Sequence, residues 1–230
     1  MPQPAGQNLL IDADDTLWEN NVYFERVIVC VQEMLDSHGV ERATFRACLD
    51  DLERAHIVTH GYGTLNFARS LVAAFERFVP PATDGASSAR VHGLALGILE
   101  HPIELLDGVA ETLAYLAARH RLLLVTKGNE AEQARKIEAS RLAGHFSAVE
   151  ILREKHEQNY RDLVARHALD PGRTWMIGNS VRSDINPALA AGIRAVLIPH
   201  PHTWVLERED AAHPARVLEL ERFSDLRLHF

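Results

Sequence analysis

Asp12-Ala13-Asp14-Asp15-Thr16 follows directly on the apolar run Leu9-Leu10-Ile11. A buried strand that ends in carboxylates calls for a chemical reason. Side chains alternate along extended backbone, so Asp12 and Asp14 can address one site. Two carboxylates held together repel unless a cation or a shared proton relieves them. An oxygen-only site of this kind suits Mg²⁺. With the ion present, one carboxylate can attack phosphorus while the other moves a proton.

Further polar groups stand just past later apolar runs. Thr126, Lys127 and Gly128 follow Leu122-Leu123-Leu124-Val125, and Lys155 follows Ala148 to Ile151. Gly178, Asn179, Ser180 and then Asp184 follow Trp175-Met176-Ile177. Thr126 and the amides of Lys127 and Gly128 are expected to hold phosphate oxygens, with Lys155 as the point charge. Taken singly each residue has a plainer reading. Asp15 and Gly178-Asn179-Ser180 read as turns, Thr126 and Asp184 as helix caps, and Lys155 as surface. The signal is the set in this order. Lysine is scarce: Lys127, Lys136 and Lys155 stand against 21 arginines. Lys136 lies inside a polar helical pattern and reads as part of a solvated face.

The elements that must position these groups alternate. The apolar runs above, and Ala195-Val196-Leu197-Ile198, are separated by helical patterns near 108–120, 130–140, 159–167 and 185–191. Strand–helix alternation predicts an α/β fold: a Rossmann-like parallel sheet with helices on both faces and the ligand beyond the carboxyl ends of its strands. Residues 18–105 depart from this. They carry helical patterns at 23–37, 44–56, 65–79 and 89–100, and Pro80 to Gly85 reads as a loop. The expected organisation is a core of residues 1–17 and 106–230 with an inserted helical domain, 18–105. The tail from Pro214 is expected to add a short strand and a terminal helix.

Composition bounds the function. The chain has 230 residues, 47% of them hydrophobic, and a net charge of -8 without a basic run. Nucleic acid and anionic membrane surfaces are therefore unexpected partners. No apolar segment is long enough to span a bilayer, Met1 to Asn8 does not read as a signal peptide, and two cysteines make no disulfide framework. The cytoplasm is the expected compartment; oligomeric state is not legible.

With these residues in hand, the chain resembles the haloacid dehalogenase-like (HAD) hydrolase superfamily. Its first motif, Asp-x-Asp-x-Thr at the end of strand one, is matched by Asp12 to Thr16; its second by Thr126; its third by Lys155 in REKHEQNY; its fourth, in part, by GNSVRSD, Gly178 to Asp184. The insertion is similar to the family's helical cap of the C1 type. The resemblance implies a Mg²⁺-dependent phosphomonoesterase acting on a small phosphorylated metabolite. Asp12 would attack phosphorus and form an aspartyl-phosphate. Asp14 would protonate the leaving oxygen and then deprotonate the attacking water. Asp12, the backbone carbonyl of Asp14, and Asn179 or Asp184 would hold Mg²⁺, while Thr126 and Lys155 would hold the phosphoryl oxygens. In two places the pattern departs or discriminates. Asn179 stands where the family usually writes Asp, so that position supplies an oxygen without charge. Asp14 is retained, whereas the dehalogenases of the family lack the second acid.

Two other readings compete: a haloacid dehalogenase-type hydrolase, against which Asp14 speaks, and a catalytically silent phosphate-binding or receiver-like protein. Receivers also gather acids, a Thr and a Lys at strand ends, but carry no helical insertion after strand one. Within the insertion, His60-Gly61-Tyr62-Gly63 and Asn66 are candidates for substrate selection, and equally for a plain interhelical turn. His200 and His202 lack the spacing of a helical zinc motif and read as loop residues, with Trp204 as packing.

Overall fold

A computed structural model describes residues 6–230, with side chains described for all of these except 81–84. Contacts divide the chain into two units. One comprises the chain up to Glu19 together with Ile103–Phe230; the other is Asn20–Pro102.

The first unit is built on a six-stranded sheet of β1 (Asn8–Ile11), β2 (Arg121–Lys127), β3 (Ala148–Leu152), β4 (Thr174–Gly178), β5 (Arg194–Leu197) and β6 (Val217–Glu219). The strands lie in the order β3-β2-β1-β4-β5-β6, and every pair is parallel. β1, at the centre, carries the motif beyond its carboxyl end. Its apolar residues are buried on both faces, which is why the strand reads as a continuous apolar run. Leu9 and Ile11 join Leu122, Leu124, Ile177 and Val196 in one cluster, packed with Val109, Leu113 and Leu116 and with Phe223 and Leu226 of the tail. Leu10 faces the other way, with Leu123, Val125 and Met176 against Tyr160 and Leu163. The alternation follows from the period of two along a strand.

The helices of this unit are, in chain order after the insertion, α5 (Val109–Ala117), α6 (Glu130–Ser140), α7 (Glu157–Arg166) and α8 (Asn186–Ala190). The α6 N-terminus is capped by the Asn129 side chain, which accepts from the Glu132 amide. The helix expected from Ile185 begins earlier, as a π-turn over Val181–Ile185 that runs into α8. The tail forms the short strand β6, and its terminal helix is a 3-10 turn, Phe223–Leu228.

The second unit consists of α1 (Asn21–Asp36), α2 (Arg42–His60), α3 (Thr64–Phe78) and α4 (Pro81–Leu96), closed by a 3-10 turn, Gly97–Glu100. Its core gathers Val31, Leu35, Phe45, Leu49, Phe67, Leu71, Phe75 and Val91. The loop expected at Pro80 to Gly85 is instead largely the start of α4. Pro80 is extended, and Pro81 occupies the first turn, where its missing N–H costs nothing. Asn66 is buried. Its amide donates to the Gly61 carbonyl at 2.6 Å and its oxygen accepts from Arg69, so it closes the turn between α2 and α3. That is the interhelical-turn role expected for it as one of two readings. Trp18 and Leu105, expected in the insertion, belong with the first unit. Trp18 is fully buried in the sheet's core and bridges Leu105. Among the described residues, no helix is long and apolar enough to cross a membrane.

Candidate active site

Beyond β1 the chain turns sharply. The Leu17 amide donates to the Ala13 carbonyl, and the Asp15 amide to the Trp18 carbonyl, both at 2.8 Å. Asp15 takes φ of 59° to permit this, a left-handed conformation that Asp tolerates better than most residues. It is the turn residue expected. The turn leaves Asp12 in the interior and brings Trp18 back beside Asp14.

Asp12, Lys155 and Asp184 form the buried centre. The Lys155 ammonium donates to Asp12 Oδ1 at 2.5 Å and to Asp184 Oδ1 at 2.7 Å. The other Asp12 oxygen faces the Thr16 hydroxyl at 3.1 Å, which also lies 3.4 Å from Asn179 Oδ1. The other Asp184 oxygen accepts from the Ser180 amide at 3.0 Å. Gly178 lies under this carboxylate. A Cβ there would stand 2.2 Å from Asp184 Oδ2, so only glycine lets the strand end pass. Lys155, alone a surface reading, is 2% exposed.

With both acids ionised, two carboxylates against one ammonium would leave this centre one negative charge in excess. Burial, opposed by Lys155 and assisted by the Asp184 carboxylate, raises Asp12 to about 7. Lys155 is pushed well above its ordinary value: burial acts against its charge, but Asp12 and Asp184 outweigh it.

Asp14 has a different environment. Trp18 Nε1 donates to its Oδ1 at 2.7 Å, Gln133 Nε2 to its Oδ2 at 2.8 Å, and Lys136 Nζ to both oxygens at 3.0 Å. Burial would raise this acid, but the Lys136 charge and the three donors together hold it below the ordinary carboxylate range. Lys136 is thus no part of a solvated face; its side chain is 12% exposed and fixed on Asp14. Gln133 and Lys136, three apart on α6, present one face of that helix. Their spacing and the rarity of lysine were the available signals.

Asn179 donates from Nδ2 to Thr203 Oγ1 at 3.1 Å, which turns its carbonyl oxygen toward Thr16. Thr126 is the penultimate residue of β2, 1% exposed. Of the Lys127 and Gly128 amides expected to hold phosphate, that of Gly128 is engaged within the sheet, and the Lys127 side chain lies in an ionic network. The Lys127 ammonium contacts Glu207 at 2.6 Å, Ser183 at 2.9 Å and Glu154 at 3.2 Å. The Gly128 amide donates to the Leu152 carbonyl, continuing the β2–β3 ladder. Glu207 completes a network that composition could not reveal. It accepts from the Ser180 and Ser183 hydroxyls at 2.6 and 2.5 Å.

The donor set fits a hard divalent cation. Asp12, Asp184 and the Asn179 carbonyl offer oxygen alone, around a centre that carries surplus negative charge when both acids are ionised. The Asp14 carboxylate is engaged by Trp18, Gln133 and Lys136, as the Asp184 carboxylate is by Lys155 and the Ser180 amide. A second group, Asp15, Glu19 and His200, has ligand atoms within 4.8 Å of one another. There the imidazole lies between the acids, Nδ1 3.7 Å from Asp15 and Nε2 3.4 Å from Glu19. Burial lowers the His200 imidazole below its ordinary value, which favours the neutral ring between these acids.

Known proteins resemble this chain in both sequence and fold. A haloacid dehalogenase-like family hydrolase from Xanthomonas campestris is 28% identical, with a TM-score of 0.82 over 98% of this chain and 94% of that one. L-2-haloacid dehalogenase from Xanthobacter autotrophicus, 14% identical, shares the fold with a TM-score of 0.64 over 97% and 98% of the two chains. Mouse N-acylneuraminate-9-phosphatase is 35% identical over 104 residues, 43% of this chain and 42% of that protein. The match thus spans less than half of that relative's length. The family model for haloacid dehalogenase-like hydrolases matches residues 7–192. With most of its length in that match, the chain belongs to the haloacid dehalogenase-like hydrolase family.

Proposed function

We propose that this protein is a phosphomonoester hydrolase acting on a small phosphorylated metabolite, with Asp12 as its nucleophile. The observation that carries the reading is the pairing of two acids in opposite settings. Asp12 is buried against Lys155 and Asp184, whereas Asp14 is fixed by Trp18, Gln133 and Lys136. Two acids of one motif held by separate partners can take separate nucleophilic and proton-transfer duties in one reaction. The retained Asp14 favours phosphate over halide as the leaving chemistry. The likeness to a phosphatase that acts on an N-acylneuraminate 9-phosphate supports the same class and makes phosphorylated sugars the first substrates to try.

In this reading an Asp12 oxygen attacks phosphorus, the alkoxide leaves with a proton from Asp14, and an aspartyl-phosphate remains. Asp14 then takes a proton from water as its oxygen adds to phosphorus, and the Asp12 carboxylate departs. Lys155 stabilises charge on the phosphoryl oxygens, and Thr126 orients them. A bound Mg²⁺ would be held by Asp12, Asp184, the Asn179 carbonyl and the Asp14 backbone carbonyl, and would offset the charge of the incoming phosphate. The α1–α4 unit is proposed as the C1-type cap of this enzyme.

The test is phosphate release from an aryl phosphate and a panel of sugar phosphates, with Mg²⁺ and with chelator, beside halide release from a 2-haloacid. Phosphate release abolished by Asp12→Asn supports the reading. Halide release without phosphate release, or full activity in Asp12→Asn, overturns it.

A further inference from the structure

Asp14 accepts hydrogen bonds from two directions. Trp18, four residues further on in the same turn, fixes one oxygen; Gln133 on α6 fixes the other. Lys136, one helical turn beyond Gln133, spans both at 3.0 Å. A carboxylate has about four acceptor positions, and here all four contacts come from donors. The plane of the group is therefore set by three side chains, two of them on a helix outside the motif. Trp18 is fully buried and Gln133 is 4% exposed, so neither can swing away freely. Any proton that Asp14 gives or takes therefore passes through a carboxyl group whose direction these three side chains set.

Resting on the phosphatase reading above, we infer that Lys136 and Gln133 are positioning residues for Asp14, orienting it for proton transfer, including its base role in the second half-reaction. In that step a water O–H bond breaks and its proton goes to Asp14. The water oxygen bonds to phosphorus, and the phosphorus–oxygen bond to Asp12 breaks to release inorganic phosphate. Lys136 acts through Asp14, both of whose oxygens it holds. Where the leaving group needs no acid, its loss should slow hydrolysis of the aspartyl-phosphate more than formation of it. A misplacement of about 1 Å in such a group costs about 10²-fold.

The experiment compares wild type, Lys136→Met, Lys136→Arg and Gln133→Met in stopped flow with an aryl phosphate whose leaving group needs no acid. Lys136→Met should give a burst of aryl alcohol followed by a steady rate lowered about 10²-fold. Acid quenching should trap phosphoprotein, and the steady-state KM should fall with kcat, because deacylation-type steps then limit turnover. Lys136→Arg, which can still bridge both oxygens, should recover much of the rate. Gln133→Met should show a smaller burst phenotype of the same kind, and it serves if Lys136→Met does not fold. Steady rates within twofold of wild type in both Met variants would overturn the inference. A lowered rate without burst or phosphoprotein would also overturn it, since that assigns Lys136 to the fold alone. A wild-type chain that releases no phosphate from any substrate sinks the phosphatase reading and this inference together.

Discussion

Lys155 and Asp12 meet at 2.5 Å in the interior, from elements 143 residues apart in the chain. The same ammonium holds Asp184 at 2.7 Å. Removing one partner of a buried ion pair leaves an uncompensated charge, which typically costs about 3–5 kcal/mol. Lys155→Ala should therefore lose both turnover and stability, and a Lys155→Met chain of similar bulk should lose them too. Denaturant unfolding beside steady-state kinetics checks this. Wild-type stability in both variants would remove Lys155 from the centre.

Lys127 gives the contrasting case. Its ammonium joins Glu207, Ser183 and Glu154 and is 14% exposed. Glu207 is held below the ordinary carboxylate range: burial would raise it, but Lys127 and the two serine hydroxyls prevail. Lys127→Met should lower stability by about 1–3 kcal/mol, the cost of leaving a buried polar partner unsatisfied, and cost less turnover than Lys155→Met. The ratio of the two kcat values decides the matter, and a larger loss at Lys127 would exchange their roles.

Asp12 makes stability depend on pH in an unusual direction. Its folded value, about 7, lies above the ordinary 3.8. The folded chain thus binds this proton more tightly than the unfolded chain. The contribution is present in full below pH of about 4 and is lost as pH rises through about 7, over a range of a few kcal/mol. In chelator, urea midpoints of the wild type should fall across that window more steeply than those of Asp12→Asn. Parallel midpoint curves for the two chains would contradict the raised value.

Asn179 is the place where charge is missing from the oxygen set. Its amide donates to Thr203 Oγ1, whose hydroxyl in turn donates to the His200 carbonyl. Asn179→Asp adds attraction for a divalent cation but turns that donor into an acceptor facing Thr203. The variant should need less Mg²⁺ for half-maximal activity and should unfold earlier in chelator, by about 1 kcal/mol. A Mg²⁺ titration and a melt without metal read the two effects separately. An unchanged Mg²⁺ requirement would leave Asp184 as the principal ligand.

The sheet was legible because both faces of its central strands are covered, so Leu9 to Ile11 and Leu122 to Val125 appear as uninterrupted apolar runs. The start of α4 was not, because Pro80-Pro81 marks a loop and a helix first turn equally well. The acids and Lys155 could be named from order along the chain. What holds Asp14 could not, since Gln133 and Lys136 sit in a pattern that polar surface helices share. Their register against the motif is settled only when α6 packs against β3. Glu207 was hidden for the same reason: nothing local distinguishes it from Glu209 or Glu219.

The segment after Ile193 bears on where this domain can be cut. The family match ends at residue 192, yet Thr203 orients Asn179, and Glu207 ties down Ser180, Ser183 and Lys127. β5 supplies the neighbour of β4, while Phe223 and Leu226 fill the cluster beneath β1. An expression fragment trimmed to the matched residues would expose the flank of β4 and free the turn that carries Asp184. Catalytic competence thus extends past the recognisable signature, and shortened versions of this protein should keep their carboxyl-terminal forty residues or so.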